Sequence, residues 1–434
     1  MALELPASRA QIRRIQGERK RIAVAQAQRS PFWKKRLPKE LNLEALDDPD
    51  VWRRIPILDK DMLRALPERE FYSDFCLAPQ DGICEYWRSG GVTGQPLFYP
   101  RSYKDMEYAL LSFARTYDCA GAQAGERAHV SFPMGIHPVG QVFCRCASLR
   151  GIAVNWAGSG ASTPSALQLD LIDRLKPTLW LGMSSYALHL ANLAEARGID
   201  LSNSSVKKIL TSAEPVSQAK RDKIERGWGA RLTDTFGMTE AGMMGAEDVP
   251  GEGFRIWSDL FYVEVLDPKS LEPVKEGEVG TLVVTSLWTN NVTPFLRWSS
   301  GDLVTYAEAD DERDGKKAGP FAVFPRVRHA HRTTGFFKVR GVNLGHQDLE
   351  DFMFRHPEIG DFRAEALTEN DLDCLRLSIE VRRGSDAQAV ARRLTVETRE
   401  KFELVPQVVV LETGTLAREF EANVKAARFV DRRG

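Results

Sequence analysis

The chain has 434 residues, of which 27% are charged, and a formal net charge of −1. At ~100–200 residues per domain this length predicts two or three domains, and the balanced charge gives no footing for nucleic acid or an anionic membrane surface. No apolar run approaches the ~18 residues a bilayer span needs, and the Arg- and Gln-rich start does not resemble a signal peptide, so a soluble cytoplasmic protein is expected.

In chain order, Ser8 to Gln28 carries Ile12, Ile15, Ile22 and Ala25 near helical spacing, and predicts an amphipathic helix capped by Ser8. A second helix is expected over Tyr103–Tyr117. Apolar strands then fall at Ala128–Phe132, Thr178–Leu181 and Lys208–Leu210, separated by helices at Ser165–Leu175, Ser185–Arg197 and Ser217–Gly227. Short strands alternating with helices predict βαβ crossovers and a largely parallel sheet. From Phe261 the texture changes, because Phe261, Val263 and Val265 alternate and Gly280–Thr285 follows after a break at Gly277. These are hairpin signals, and they predict a β-rich subdomain.

Past Arg332 a small α+β unit is expected. Its elements are a helix at Gln347–Arg355, a strand at Cys374–Val381, a helix at Asp386–Phe402 and a strand at Gln407–Leu411. The fold class is therefore α/β, with a large domain over residues 1–331 and a small one over 332–434. The six cysteines, Cys76, Cys84, Cys119, Cys144, Cys146 and Cys374, form no C-x-x-C pair, so buried thiols are expected rather than a metal site.

Several segments carry chemistry. Ser89 to Pro96 (SGGVTGQP) packs Gly90, Gly91 and Gly94 with the hydroxyls of Ser89 and Thr93, a combination that turns successive N–H groups into one concavity and suits a polyphosphate. It is no Walker loop, since Gln95 stands where a lysine is needed, and alone it reads equally well as a structural turn. Further along come Ser212-Ala213-Glu214-Pro215, the run Thr235-Phe236-Gly237-Met238-Thr239-Glu240, Arg297 to Asp302 (RWSSGD), the basic turn Lys338 to Asn343, and Lys425. Out of context, the Thr239-Glu240 pair would be a helix N-cap with an exposed acid, and Lys425 a solvated surface charge.

In this order the set resembles the adenylate-forming superfamily of acyl-CoA ligases, and within it the phenylacetate-CoA ligases. The resemblance covers nearly the whole chain and includes Arg29 to Leu37 (RSPFWKKRL), Pro56 to Asp61 (PILDKD) and Phe254 to Pro268 (FRIWSDLFYVEVLDP). It implies a large adenylating domain with a mobile C-terminal lid, and ATP, Mg²⁺ and CoA as reaction partners of an aromatic carboxylate. Ser89, Gly91, Thr93 and Gly94 would cradle phosphates. Thr239 would donate to the α-phosphate, and Glu240 would hold the metal. Ala213, Glu214, Pro215 and Phe236 would enclose adenine, with Asp234, Gly237 and Met238 beside them. Asp302 would accept the ribose hydroxyls, and Arg332 would open the hinge, with Thr334 and Gly335 as pivot. Lys425 would act in adenylation, while Lys338, Arg340 and Gly341 would meet CoA. The acid pocket would draw on Phe132, Met134, His137, Val139 and Tyr186, with Trp156 as a further candidate.

The chain departs from the family pattern at Gly90 and Val92, where hydroxyls are usual, and at Ser299, Thr334 and Val424. Positions where some relatives carry Cys and His hold Asp248 and Arg255, so no structural zinc is expected. Two other readings share these residues: an adenylating enzyme that loads a carrier protein or an amine, and a non-catalytic relative that only binds ligand. A homodimer is one assembly open to it.

Overall fold

Within the large sheet, antiparallel pairing begins earlier in the chain than the change of texture at Phe261, at strand Arg231–Met238. The computed structural model describes residues 4–77, 80–88, 97–309, 319–332, 336–369, 372–422 and 427–433. Packing divides the chain into two units. One takes residues 1–124, 135–152 and 233–332, and the other 125–134, 153–232 and 333–434. The fold is α/β.

The first unit is built on antiparallel pairing. Strands Phe261–Leu266, Val279–Ser286, Trp298–Ala307, Arg326–Arg332, Phe254–Ile256, Gly242–Ala246 and Arg231–Met238 lie side by side in that order. A separate ribbon pairs Ile83–Arg88 with Phe98–Ser102, so these two strands flank the glycine-rich segment, which itself lies outside the described residues. Helix Tyr103–Cys119 follows directly, opened by a capping box in which Ser102 and Asp105 satisfy each other's backbone N–H groups. A chain of edge-on aromatic contacts runs from Phe32 through Phe75 and Phe295 to Tyr99, with centroids 5.4, 5.4 and 5.5 Å apart. Each such pair contributes about 0.5–1.5 kcal/mol beyond simple burial, and together they fix the Tyr99 ring.

The N-terminal helix forms over Arg9–Ala27 with Ser8 as its cap, but its buried face differs from the expected one. Arg19, Lys20, Ala23, Val24 and Ala27 are buried alongside Ile12, whereas Ile22 is half-buried and Ala25 exposed. Arg19 donates to the Leu287 carbonyl at 3.0 Å with its guanidinium 3.8 Å from the Trp288 ring centroid, and Lys20 donates to the Leu46 carbonyl at 2.8 Å. Buried carbonyls and aromatic faces far along the chain make room for these cations, which apolar periodicity cannot register. Arg297, too, is buried and structural. It forks onto Glu264 at 3.0 Å twice and donates to the carbonyls of Arg53 and Ile55.

The second unit contains the parallel sheet, ordered Lys208–Thr211, Leu179–Gly182, Arg127–Val130 and Ala153–Trp156. Helices Ser165–Leu175, Ser184–Ala196 and Gln218–Trp228 alternate with these strands, within a residue or two of expectation. Gly229 ends the last helix at φ +58, and a Cβ there would meet the Ser202 carbonyl oxygen at 2.4 Å. Residues 333–434 add helices His346–Arg355 and Ala387–Phe402 and a sheet ordered Gln407–Leu411, Leu372–Val381, Ile359–Glu369 and Phe429–Asp431. They also contribute a hairpin of Phe336–Val339 and Val342–Gly345, turned by Arg340 and Gly341 at φ +49 and +84. Two successive left-handed residues are the requirement of a two-residue type I′ turn. All six cysteines are free, and Cys144 and Cys146 are buried on helix Pro138–Leu149.

Candidate active site

Thr239 and Glu240 do not start a helix. They form the turn of a hairpin between strands Arg231–Met238 and Gly242–Ala246. Gly237 permits that hairpin to close, since a Cβ there would lie 2.6 Å from the Gly242 carbonyl oxygen. The turn is held from below by Arg101, which is fully buried and donates to the Thr239 and Glu240 carbonyls at 2.6 and 2.7 Å. The same guanidinium donates to the Thr289 carbonyl at 3.1 Å and the Thr293 hydroxyl at 3.3 Å, and lies 4.6 Å from the Trp87 ring centroid.

The Glu240 side chain is buried, and the Tyr99 hydroxyl donates to its Oε1 at 3.1 Å. Burial pushes its carboxyl above the usual carboxylate range, with hydrogen bonds and the nearby cations pulling the other way. No three metal-binding side chains gather among the described residues. Mg²⁺ bound with nucleotides usually takes one or two carboxylates and completes its shell with phosphate and water oxygens, a habit a single carboxylate such as Glu240 would fit.

On the strand that leads to this turn, Phe236 stacks on Phe254 at 5.3 Å and meets the His329 ring edge-on at 5.9 Å. His329 Nε2 lies 3.1 Å from Asp302 Oδ1, and the Ser300 hydroxyl donates to Oδ2 at 2.5 Å. Asp302 is only 2% exposed, so its orientation is set by these partners. Strand register places Arg332 directly opposite Asp302. Asp234 points inward on the same strand as Phe236, accepts from the Thr235 N–H at 3.0 Å, and receives the Glu247 N–H on its carbonyl. Met238 is half-buried.

In the second unit, Glu214 accepts from the Ser185 N–H at 2.9 Å and from the hydroxyls of Ser185 and Ser184 at 2.8 and 3.2 Å. It therefore caps helix Ser184–Ala196, whose own N-cap position, Met183, offers no side-chain acceptor. Ala213 adopts φ +70 just before it, and Pro215 is exposed. Phe132 and Tyr186 are buried and Met134 half-buried, whereas Trp156 is 53% exposed. His137 and Val139 belong to the other unit, where His137 precedes helix Pro138–Leu149 and makes no side-chain cap. Lys338 and Arg340 are exposed on the hairpin, and Arg340 donates to the Asp373 carbonyl at 2.7 Å. Ser89, Gly91, Thr93, Gly94, Thr334, Gly335 and Lys425 lie outside the described residues, as does the side chain of Arg332.

Asp248 and Arg255 pair with each other at 2.9 Å, and Arg326 joins Asp248 at 3.1 Å. Sequence reasoning missed Tyr99, Arg101 and His329. The signal for Arg101 was slight: it stands one residue before the capping Ser102, and its partners are 138 and more positions away.

The AMP-binding enzyme family matches residues 58–291, more than half of the chain. The phenylacetate-coenzyme A ligase of Thermus thermophilus is 29% identical over 386 residues, 86% of this chain and 82% of its own. That of Aromatoleum evansii is 26% identical over 366 residues, 82% and 80% of the two chains. Among solved structures, a 2-hydroxyisobutyryl-CoA ligase in the postadenylation state superposes with a TM-score of 0.84 at 22% identity, over 98% of this chain and 91% of that one.

Proposed function

The chain belongs to the AMP-binding enzyme family, and from that premise we propose that it joins an aromatic carboxylic acid to CoA through an acyl-AMP intermediate. A carboxylate oxygen attacks the α-phosphorus of ATP, the bond to the β-phosphate breaks, and pyrophosphate leaves. The CoA thiol then attacks the acyl carbon, and AMP leaves with the former carboxylate oxygen. Such transfers depend on positioning and charge neutralisation more than on covalent help from the protein.

The observation that carries this reading is the line of contacts from Asp302 through His329 to Phe236, on a strand that runs into the anchored Thr239-Glu240 turn. At ~3.3 Å per residue, Phe236 and Thr239 stand about 10 Å apart along the strand, a span that suits a nucleoside at one end and its phosphates at the other. In this reading Asp302 accepts the ribose hydroxyls, Thr239 donates to the α-phosphate, and Glu240 holds Mg²⁺. The metal's contribution when bound is neutralisation of phosphate charge. Ser89 to Gly94 meet the outer phosphates, and Ala213 to Pro215 border the adenine. Phe132, Met134, His137, Val139 and Tyr186 receive the acid. Residues 332–434 act as a lid that turns about Arg332–Gly335, bringing Lys425 to the adenylating centre and Lys338 to Gly341 to the thioester-forming one.

The test is a panel of aryl and short acyl acids assayed for pyrophosphate release and then for AMP release on adding CoA. Acid-dependent pyrophosphate release with an aryl acid, and CoA-dependent thioester, are expected. Folded protein that binds ATP yet releases no pyrophosphate with any aryl acid would refute the proposal. AMP release with an amine or carrier protein but not CoA would replace the acceptor.

A further inference from the structure

Helices Ser184–Ala196 and Gln218–Trp228 lie so close that a Cβ on Gly227 would come within 3.0 Å of the Ala191 Cβ. Past the end of the first helix, Gly198 turns the chain at φ +71 and leaves Ile199 40% exposed. These helices, together with Pro357 and Arg382, enclose a cleft of about 630 Å³. That volume falls within the ~300–1,000 Å³ typical of small-molecule sites. All of its walls belong to the second unit, and none is among the residues assigned above to nucleotide, acid or CoA.

The lining has two characters. Leu188, Ile199 and Leu201 give it an apolar wall, while Lys223, Arg226 and Arg382 set three cations against two acids, Glu195 and Asp200. Asp200 is committed to its own turn, where it accepts from the Ser202 N–H at 3.1 Å and hydroxyl at 2.6 Å. Glu195 pairs with Arg382 Nη1 at 3.3 Å, and Arg382 Nε stays buried without a protein acceptor. Arg226 is exposed in the last turn of its helix and has no ion pair among the described residues. Lys223 is buried and donates to the carbonyls of His356 and Ile359. Burial, and after it the Arg382 guanidinium, holds Lys223 down to about 7; Arg226 adds to this, while Asp361 and Glu358 oppose it. Those two acids are themselves taken by Arg428 at 2.8 Å and Arg393 at 2.9 Å. The cleft is thus left with an excess of at most one positive charge.

We propose that this cleft is a binding site for a small organic carboxylate, with its apolar body against Leu188, Ile199 and Leu201 and its carboxylate received by Arg226 and Arg382. A monoanion matches the excess charge, whereas a phosphate dianion would overshoot it. Guanidinium forks fit a planar carboxylate on two oxygens at once, and the apolar wall gives no purchase to a bare inorganic anion. The site goes beyond the function proposed above and does not depend on it.

The test is a fluorine NMR titration of the full chain with para-fluorobenzoate. Para-fluorobenzyl alcohol keeps only the ring, and inorganic phosphate, added as competitor, only a charge. Saturable binding of the benzoate is expected. Arg226→Ala should weaken it about 10- to 100-fold, the worth of a hydrogen bond to a charged group, and Ile199→Ser by less. Both side chains are exposed, so these substitutions leave the core intact. An aryl-acid pocket, as proposed above, would add a second binding component that Arg226→Ala leaves alone, so the component the variant removes identifies the cleft. No saturable binding at millimolar benzoate would overturn the proposal, as would binding whose every component is unchanged in Arg226→Ala and Arg226→Glu. Arg226-dependent binding of the alcohol as tight as that of the acid, or displacement of the acid by equimolar phosphate, would overturn the assignment to a carboxylate.

Discussion

Arg101→Met tests whether the Thr239-Glu240 turn is preorganised by the side chain beneath it. Methionine keeps most of the buried length but donates nothing. The Thr239 and Glu240 carbonyls would lose donors at 2.6 and 2.7 Å, and the Thr289 carbonyl and Thr293 hydroxyl would lose theirs as well. An unsatisfied buried acceptor costs about 1–3 kcal/mol, so the two turn carbonyls alone put the loss at about 2–6 kcal/mol. The four contacts share one guanidinium, so their separate costs do not simply add. A turn freed to shift by about 1 Å would slow the chemical step on the order of 100-fold. Arg101→Lys keeps a charge but cannot fork to two carbonyls, and should fall between. Urea unfolding gives the stability loss, and acid-dependent pyrophosphate release at saturating ATP gives the rate. A destabilised Arg101→Met enzyme that still releases pyrophosphate at the normal rate would show that the turn holds its shape without the arginine.

Asp302→Ala should weaken ATP binding by about 10- to 100-fold, since a hydrogen bond to a charged group is worth ~1.5–3 kcal/mol, while His329→Ala, which only removes a support of Asp302, should cost less. ATP titration calorimetry measures both, and equal affinity in the wild-type and Asp302→Ala proteins would remove Asp302 from the site. His129 supplies a pH prediction: it is buried with Nε2 3.1 Å from the Gln168 amide oxygen and Nδ1 2.9 Å from the Asn155 amide nitrogen, an arrangement for the neutral ring, and burial pushes its pKa down to about 4. The unfolded ring titrates near 6.5, so this stability is fully present above that pH and is lost as pH falls towards 4, roughly 3 kcal/mol in all. Chemical unfolding at the two pH values should show a smaller difference in His129→Gln, and identical losses would refute the assignment.

The parallel strands and their helices were legible because each is a short apolar run or an amphipathic stretch bounded by turn residues. The strand Ile359–Glu369 was not, although it is central to its sheet. Asp361 and Glu365 interrupt its apolar pattern, and they are tolerated in the interior because Arg428 and Arg432 pair with them at 2.8 and 2.6 Å from 67 positions away. The same physics hid the buried face of the first helix, where Arg19 and Lys20 are satisfied by distant carbonyls. Local periodicity detects what a segment wants to bury, and long-range pairing decides what else it is able to bury. At the site, the motif order singled out Thr239, Glu240 and Asp302, the groups proposed to face the nucleotide. It carried no trace of Tyr99, Arg101 or His329, because supports are chosen by three-dimensional reach and leave no spacing rule.

Glu214 shows why a residue within a recognised motif need not act through its side chain. Its carboxylate takes three donors from Ser184 and Ser185, with Lys220 at 3.8 Å, and so serves the start of helix Ser184–Ala196. Under the proposed function, what the motif would offer an adenine is backbone, with Ala213 in a left-handed conformation at φ +70. Lys220 is buried between this carboxylate and Glu350, 3.1 Å away on helix His346–Arg355. One ammonium thus ties the turn at Ala213 and Glu214 to the C-terminal segment. Moving that segment would leave Lys220 with a single acid partner in a dry environment, which costs free energy unless water enters. Under the proposed function, the turn at Ala213 is braced when the segment is docked and loosened when it leaves, so nucleotide affinity is expected to follow the position of the segment.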